Sequence, residues 1–281
     1  WIATANAVAV AGAEPIFADL DEDGNLDAES VAALVSSRTK AIIPVHLYGK
    51  MCRMNRLLEV AAGHGLKVIE DASQAFGSSY KGVKAGGWGD LGCFSLNAMK
   101  NFGAFGDSGL VVTRDAEWHA TLEALRYNGA LDKVNCTAPS LNFKPDTLQA
   151  ALMLIKFRFF EETIKRKRMI AARYDAALEG LVETPRADAD DFHTYYAYTI
   201  RTTERDRLRA FLDGKRIETR IQHAPLMAMQ PPYRSARRDR LTRAEKIVGE
   251  ILSLPCHDKL TEVEVERVIE AVHAFFTGGG C

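Results

Sequence analysis

The chain has 281 residues, with 36 Lys and Arg against 37 Asp and Glu, a net charge of -1 and 47% hydrophobic residues. That balance offers no basic footprint for nucleic acid and no surface for an anionic membrane, and the length allows two lobes with separate cores. The expected partners are small molecules or another protein.

Cys52, Cys93, Cys136, Cys256 and Cys281 are widely and irregularly spaced, unlike metal sites, and are read as reduced thiols of a cytoplasmic protein. No apolar run approaches the roughly 18 residues of a membrane span, and no secretory leader pattern is present. The chain opens at Trp1 inside a helical pattern, so upstream residues are expected.

In chain order, "AEPIFADLD", "AIIPVHLYG" and "LKVIEDAS" read as buried strands, with helical patterns in "DAESVAALVSS" and "MNRLLEVAAGHG". This βαβ rhythm predicts a mainly parallel sheet. "LGCFSL" and "SGLVVTRD" follow, joined by a loop too short for a helical crossover, so the second is expected antiparallel. From Asp146 to Leu181 helical spacing persists without Gly or Pro until Gly180, predicting one long or two consecutive helices. Within it "KRKR", Lys165 to Arg168, reads as a solvated helix face.

A smaller α+β lobe is expected beyond: a strand in "YYAYTIR", a helix in "ERDRLRAFLDGK", a short strand in "IETRIQ", and closing helices around "AEKIVGEILSL" and "TEVEVERVIEAVHAFF". The closing "TGGGC" reads as a frayed tail. The expected division is a large lobe over 1–165 and a small one over 166–281, entered by the long helix.

Ligands of open α/β sheets sit at the carboxyl edge of the strands. Two strand ends stand out there: "VIEDASQAFGS", with Asp71 and then Gln74 one helical turn on, and "CFSLNAMKNFGAFGDSG", with Ser95 and then Lys100. If the strands are neighbours, a carboxylate and an amine face one crevice. A lysine desolvated there can capture an aldehyde as an imine, and a distant carboxylate suits the ring nitrogen of pyridoxal phosphate. Ser95 and nearby amides would hold the phosphate, while Gly103, Gly106 and Gly109 permit close backbone approach. Taken singly, Lys100 reads as a solvent-facing loop residue and Asp71 as a helix cap; only the joint arrangement points to chemistry. His46 in "PVHLYG" and His223 in "IQHAP" are candidate substrate contacts, as is Tyr127 in "LRYNG". For His46 the rival is a satisfied edge histidine, and for Tyr127 a packing role.

The stretch from "IEDASQAFGSS" to "GDSGLVVT" resembles the cofactor-binding region of the DegT/DnrJ/EryC1/StrS family of sugar aminotransferases. The likeness extends upstream through "WIATANAVAVAGAEPIFADLD" and downstream through "SLNFKPDTLQAALMLIKF" and "LSLPCHDKLTEVEVERVIEAV". It implies an α/β fold of fold type I: a mainly parallel mixed sheet flanked by helices in a large domain, plus a small C-terminal α+β domain. It also implies that Asp71 faces the pyridine nitrogen, Gln74 the ring hydroxyl and Ser95 the phosphate, and that Lys100 bonds the cofactor's aldehyde carbon. Trp1 matches an aromatic that packs on the cofactor ring, and Asn142 an asparagine that reaches the partner subunit's phosphate, implying a homodimer with shared sites.

Three departures are visible. Glycine and hydroxyl contacts to the phosphate would precede Trp1. "NFKP", from Asn142 to Pro145, replaces an Asn-any-Arg pattern, and Ala228 and Met229 stand where relatives often carry histidine. Lys100 argues against the dehydratase branch, which has histidine there.

The resulting expectation is transfer of an amino group from L-glutamate or L-glutamine to a nucleotide-linked keto sugar, in amino-sugar, antibiotic or polysaccharide synthesis. The rivals are an aminocyclitol transaminase, a lyase or desulfurase, and a non-catalytic regulator binding the cofactor or sugar nucleotide. The desulfurase reading needs a reactive thiol, and Cys93, two residues before its strand end, is expected to point into packing.

Overall fold

In the computed structural model, which describes residues 1–132, 134–185 and 187–278, the chain begins with helix α1 (Ile2–Val10) and continues with α2 (Ala28–Leu34). There follow β1 (Ala41–Ile42), α3 (Met54–His64), β2 (Lys67–Asp71), β3 (Ser79–Tyr80), β4 (Val83–Lys84), β5 (Leu91–Ser95) and β6 (Gly109–Val112). The main sheet runs β1-β2-β5-β6, its first three strands parallel and β6 antiparallel. The expected neighbours are adjacent: Asp71 of β2 lies in register with Cys93 of β5.

The second half comprises α4 (Ala116–Arg126), α5 (Thr147–Phe157), α6 (Phe160–Leu178), β7 (Asp191–Phe192), β8 (Tyr198–Arg201), α7 (Arg205–Gly214), α8 (Thr242–Glu250), β9 (Ile251–Leu254) and α9 (Glu262–Phe276). The long helical stretch is thus two helices. A capping box between Thr261 and Glu264 starts α9, both partners satisfying each other's backbone N–H.

Several segments differ from expectation for identifiable reasons. "AEPIFADLD" forms isolated bridges at Phe17 and Leu20 in place of a strand. The Asp19 side chain accepts from the backbone N–H of Leu20, Arg243 and Ala244, and Asp21 accepts from Asp23 and Asn25, so carboxylates take the place of a ladder partner. "EILSL" leaves the predicted closing helix after Glu250 and becomes β9, buried throughout and paired antiparallel with β8. A short, fully buried apolar run fits either state by periodicity. "IETRIQ" contributes one bridge, Arg220 to Ser253. Gly279, Gly280 and Cys281 of the tail lie outside the described residues.

Side chains of α6, α7, β8, β9 and α9, from Ile170 to Val272, share one core, and a second, from Val31 to Ala85, supports the main sheet. A third cluster beneath the Lys100 loop joins Leu96, Phe102, Ala104 and Met153 to Phe160 and Ile164 of α6. Helix α6 therefore crosses residues 165 and 166, with its first turns in the cluster under the loop and the rest in the C-terminal core.

Candidate functional site

Strand β2 ends in two carboxylates that the pleat sends to opposite faces. Glu70, 0% exposed, accepts from the backbone N–H of Gly86, Trp88 and Gly89 and pairs with His46 Nε2 at 2.9 Å. Burial opposes its ionisation, but these donors hold its carboxyl below the usual range. His46 is itself 0% exposed, with Nδ1 accepting from Cys52 N–H. Both ring nitrogens are engaged, so the expected substrate contact from His46 is corrected: it orients an architectural carboxylate.

Asp71 faces the other way. Its Oδ2 accepts from Thr4 Oγ1 of α1 at 2.7 Å, and its Oδ1 from Ser73 N–H at 3.1 Å. The residues after it form turns in place of the expected helix, and Gln74 leaves those turns with its side chain committed. Gln74 Oε1 accepts from Tyr48 N–H at 2.8 Å, which orients the amide, so its Nε2 donates to His223 Nε2 at 2.9 Å. The His223 proton therefore sits on Nδ1, which is buried without a hydrogen-bond partner. The ring stacks on Tyr48 at 5.9 Å and meets Trp1 edge-on at 5.8 Å. Burial first, then the charge of Lys100, lower its pKa against a partial offset from Asp71.

Lys100 lies in a loop closed by hydrogen bonds from Ala104 N–H to Leu96 O and from Lys100 N–H to Asn97 O. Gly103 is required there, because a Cβ would come within 2.5 Å of Asn97 O. The amine lies 4.7 Å from the ring centre of Tyr196. Burial lowers its pKa, opposed by the charge of Asp71. Lys100 and Asp71 thus sense one another's charge, and no ion pair joins them among the described residues. Ser95 closes β5, and its Oγ accepts from Asn97 N–H at 3.4 Å.

Asp71, Gln74, His223, Trp1, Ser95 and Lys100 therefore surround one region. Asn142 and Tyr127 stand apart: they bridge each other, Lys144 lies over the Tyr127 ring, and Asn142 is exposed. Cys93 is half-buried and, in register with Asp71, shares its face of the sheet, which corrects the expectation that it points into packing. "KRKR" is also corrected, since Lys167 is 5% exposed.

Sequence reading missed Thr4, Tyr48 and Tyr196. Thr4 sits in a helix with no local sign of a long-range bond, and Tyr196 lies in a run read only as strand. Beside Met99 and Tyr196 a groove of about 430 Å³ opens, its wall including Arg216, Arg220, His257 and Arg267.

The DegT/DnrJ/EryC1/StrS aminotransferase family profile matches residues 1–273. The chain is 38% identical to a pleiotropic regulatory protein of Geobacillus stearothermophilus, the match covering 98% of this chain and 76% of that protein. It is 32% identical to the UDP-2-acetamido-2-deoxy-3-oxo-D-glucuronate aminotransferase of Pseudomonas aeruginosa, over 97% and 76% of the two chains. Among solved structures, Streptomyces venezuelae DesV, crystallised with a ketimine intermediate, superposes with a TM-score of 0.93 at 36% identity, over 98% of this chain and 76% of that one. These likenesses run through the strand ends that carry Asp71 and Lys100, and the chain belongs to the DegT/DnrJ/EryC1/StrS aminotransferase family.

Proposed function

We propose that this protein is a pyridoxal-phosphate-dependent aminotransferase that moves an amino group from L-glutamate or L-glutamine to a keto sugar linked to a nucleotide diphosphate. The observation that carries the reading is that an amine whose pKa is lowered by burial, Lys100, lies within electrostatic reach of a strand-end carboxylate, Asp71. The residues present fit the cofactor: an acceptor at Asp71, an amine at Lys100, a hydroxyl at Ser95, and a buried Nδ1–H of His223 lacking an acceptor.

The bound cofactor supplies an electron sink for the carbanion formed at the substrate carbon. Asp71, fixed by Thr4 and Ser73, would present a carboxylate to the cofactor's ring nitrogen and favour its protonated form. Gln74 and His223 offer donors along the same wall, and Trp1 covers it. Lys100 Nζ would hold the cofactor's aldehyde carbon at rest and, once released, would take the proton from the substrate carbon that bears nitrogen and return it to the cofactor's former aldehyde carbon, a role suited to an amine whose pKa is lowered by burial. The groove beside Tyr196, with Arg216 and Arg267 on its wall, suits the diphosphate.

A homodimer completes this reading. Helix α5 turns Met153 and Gln149 toward the Lys100 loop and leaves Leu148, Leu154 and Ile155 exposed on its outer side, a face suited to a second copy adjoining the site. The lobes are read as residues 1–165 and 166–281, and the free thiols of Cys52, Cys93, Cys136 and Cys256 suit a cytoplasmic setting. Likeness to a pleiotropic regulatory protein favours one alternative, a regulator that keeps the fold.

The test is the half-reaction. Protein loaded with pyridoxal phosphate and given glutamate should release 2-oxoglutarate as the cofactor's visible absorbance falls. Borohydride reduction of the resting protein should label Lys100, and Lys100→Ala should lose about 10²- to 10⁴-fold in rate. A label on another lysine overturns the assignment, and no 2-oxoglutarate favours the regulator.

A further inference from the structure

The lysine at position 167 has no place in the chemistry above, yet it is 5% exposed in the middle of α6. No carboxylate pairs with it among the described residues. Burying an unpaired ammonium is costly, and an apolar side chain would pack there without that cost. Its Nζ donates to Asn101 Oδ1 at 2.7 Å and to the backbone oxygen of Tyr196 at 3.4 Å. Asn101 follows Lys100 in the chain, and its Nδ2 donates in turn to Thr194 O at 3.1 Å. The ring of Tyr196 lies 4.7 Å from Lys100 Nζ. One buried cation thus ties the residue after Lys100 to the backbone of the residue that faces the Lys100 amine.

We propose that Lys167 is a positioning residue that locks the Lys100 loop to the backbone of residues 194–196 through Asn101 and Tyr196, so that the Lys100 amine stays on the Tyr196 ring, partly out of water. The inference rests on the reading of Lys100 as the cofactor lysine. The desolvation that this placement brings is the kind that lowers an ammonium's pKa and raises the fraction of free amine, in keeping with the burial-driven lowering at Lys100. Asp71 and His223 are the other charged or titratable groups that sense Lys100, and the link through Asn101 touches neither of them.

The experiment uses the cofactor-free whole chain. Trace acetylation at constant pH, read by mass spectrometry, reports the reactivity of Lys100 relative to exposed Lys40. Lys167→Met and Asn101→Leu should each lower that ratio by about threefold to tenfold, the range of a pKa rise of up to one unit. The double variant should lower it no further, since both act through one link. Asn101→Leu strands the Lys167 ammonium without its 2.7 Å acceptor, so the double variant, which removes that charge, keeps the test valid if either single variant folds poorly. An unchanged ratio in either folded variant, or multiplied losses in the double variant, overturns the proposal. Borohydride mapping of the wild-type protein separates the two ideas: a label away from Lys100 sinks the cofactor reading, whereas the acetylation ratios judge the Lys167 link alone.

Discussion

His193 shows how far burial alone can set a side chain's chemistry. It is 2% exposed, stacks on Tyr195 at 4.0 Å, and accepts from Tyr195 N–H through Nδ1. Burial, reinforced by Lys50, Arg168 and Lys167, lowers its pKa to about 3. The folded state then binds a proton less readily than the unfolded chain, whose histidine titrates near 6.5. Its stabilising contribution is complete above that value and is lost as pH falls toward 3, amounting to about 2 kcal/mol by pH 5. Denaturant unfolding at pH 7 and pH 5 should therefore show a smaller drop for His193→Gln than for the wild type; equal drops would refute this. Nothing in "DDFHTYY" signalled that role, because neutrality here comes from burial and from cations contributed by two distant segments. Lys167 was more legible. It falls between Ile164 and Ile170 on the stripe that continues to Ala171 and Tyr174, so spacing placed it inward, and only the charge of its flanking residues suggested otherwise.

At the scale of elements, the turn after the first strand interlocks with the segment before β8. Ser78 Oγ donates to Gly49 O and meets Thr194 Oγ1, and Ala197 N–H donates to Tyr48 O. Gly49 has φ +96°, and a Cβ there would stand 2.8 Å from Thr194 Oγ1 and 2.9 Å from Tyr196 N. Gly49→Ala is expected to cost about 2–3 kcal/mol and to displace Tyr196 from Lys100. Thermal unfolding checks the first effect and the acetylation ratio of Lys100 the second; a folded variant normal in both would refute the interlock. The parallel order of the first strands, the antiparallel turn at β6 and the closing helix were readable, since each follows from local pattern or loop length. The β8–β9 pairing was not, because the buried run from Ile251 to Leu254 gives no periodic signal and gains its partner only from residues some fifty positions earlier.

For the molecule as a whole, the apolar surface is unevenly spread. Leu110, Val111 and Val112 on β6 are 41%, 49% and 37% exposed, and Leu148 and Leu154 on α5 exceed 70%. Apolar exposure on these two elements suits an interaction face. Light scattering on the eluting protein should give twice the chain mass, and Leu154→Asp should return it to that of one chain; a single-chain mass for the wild type would refute the dimer. The main sheet's shape and the shared strand-end region were foreseeable, since Asp71 and Ser95 follow apolar runs. Of the side chains that close over that region, His223 was a candidate, but Thr4, Tyr48 and Tyr196 were not, because they arrive from elements remote in the chain.

The alignment of Cys93 with Asp71 has an outcome for redox and carbonyl chemistry. A thiolate on that wall would compete for any aldehyde arriving there and would be exposed to peroxide. Burial, then the charges of Asp71 and Glu70, push the Cys93 thiol up from its ordinary pKa, and the protonated sulfur is a feeble nucleophile. Burial, with help from the acid that would steady a heterocycle, thereby quiets this sulfur and leaves the aldehyde of vitamin B6 to the amine.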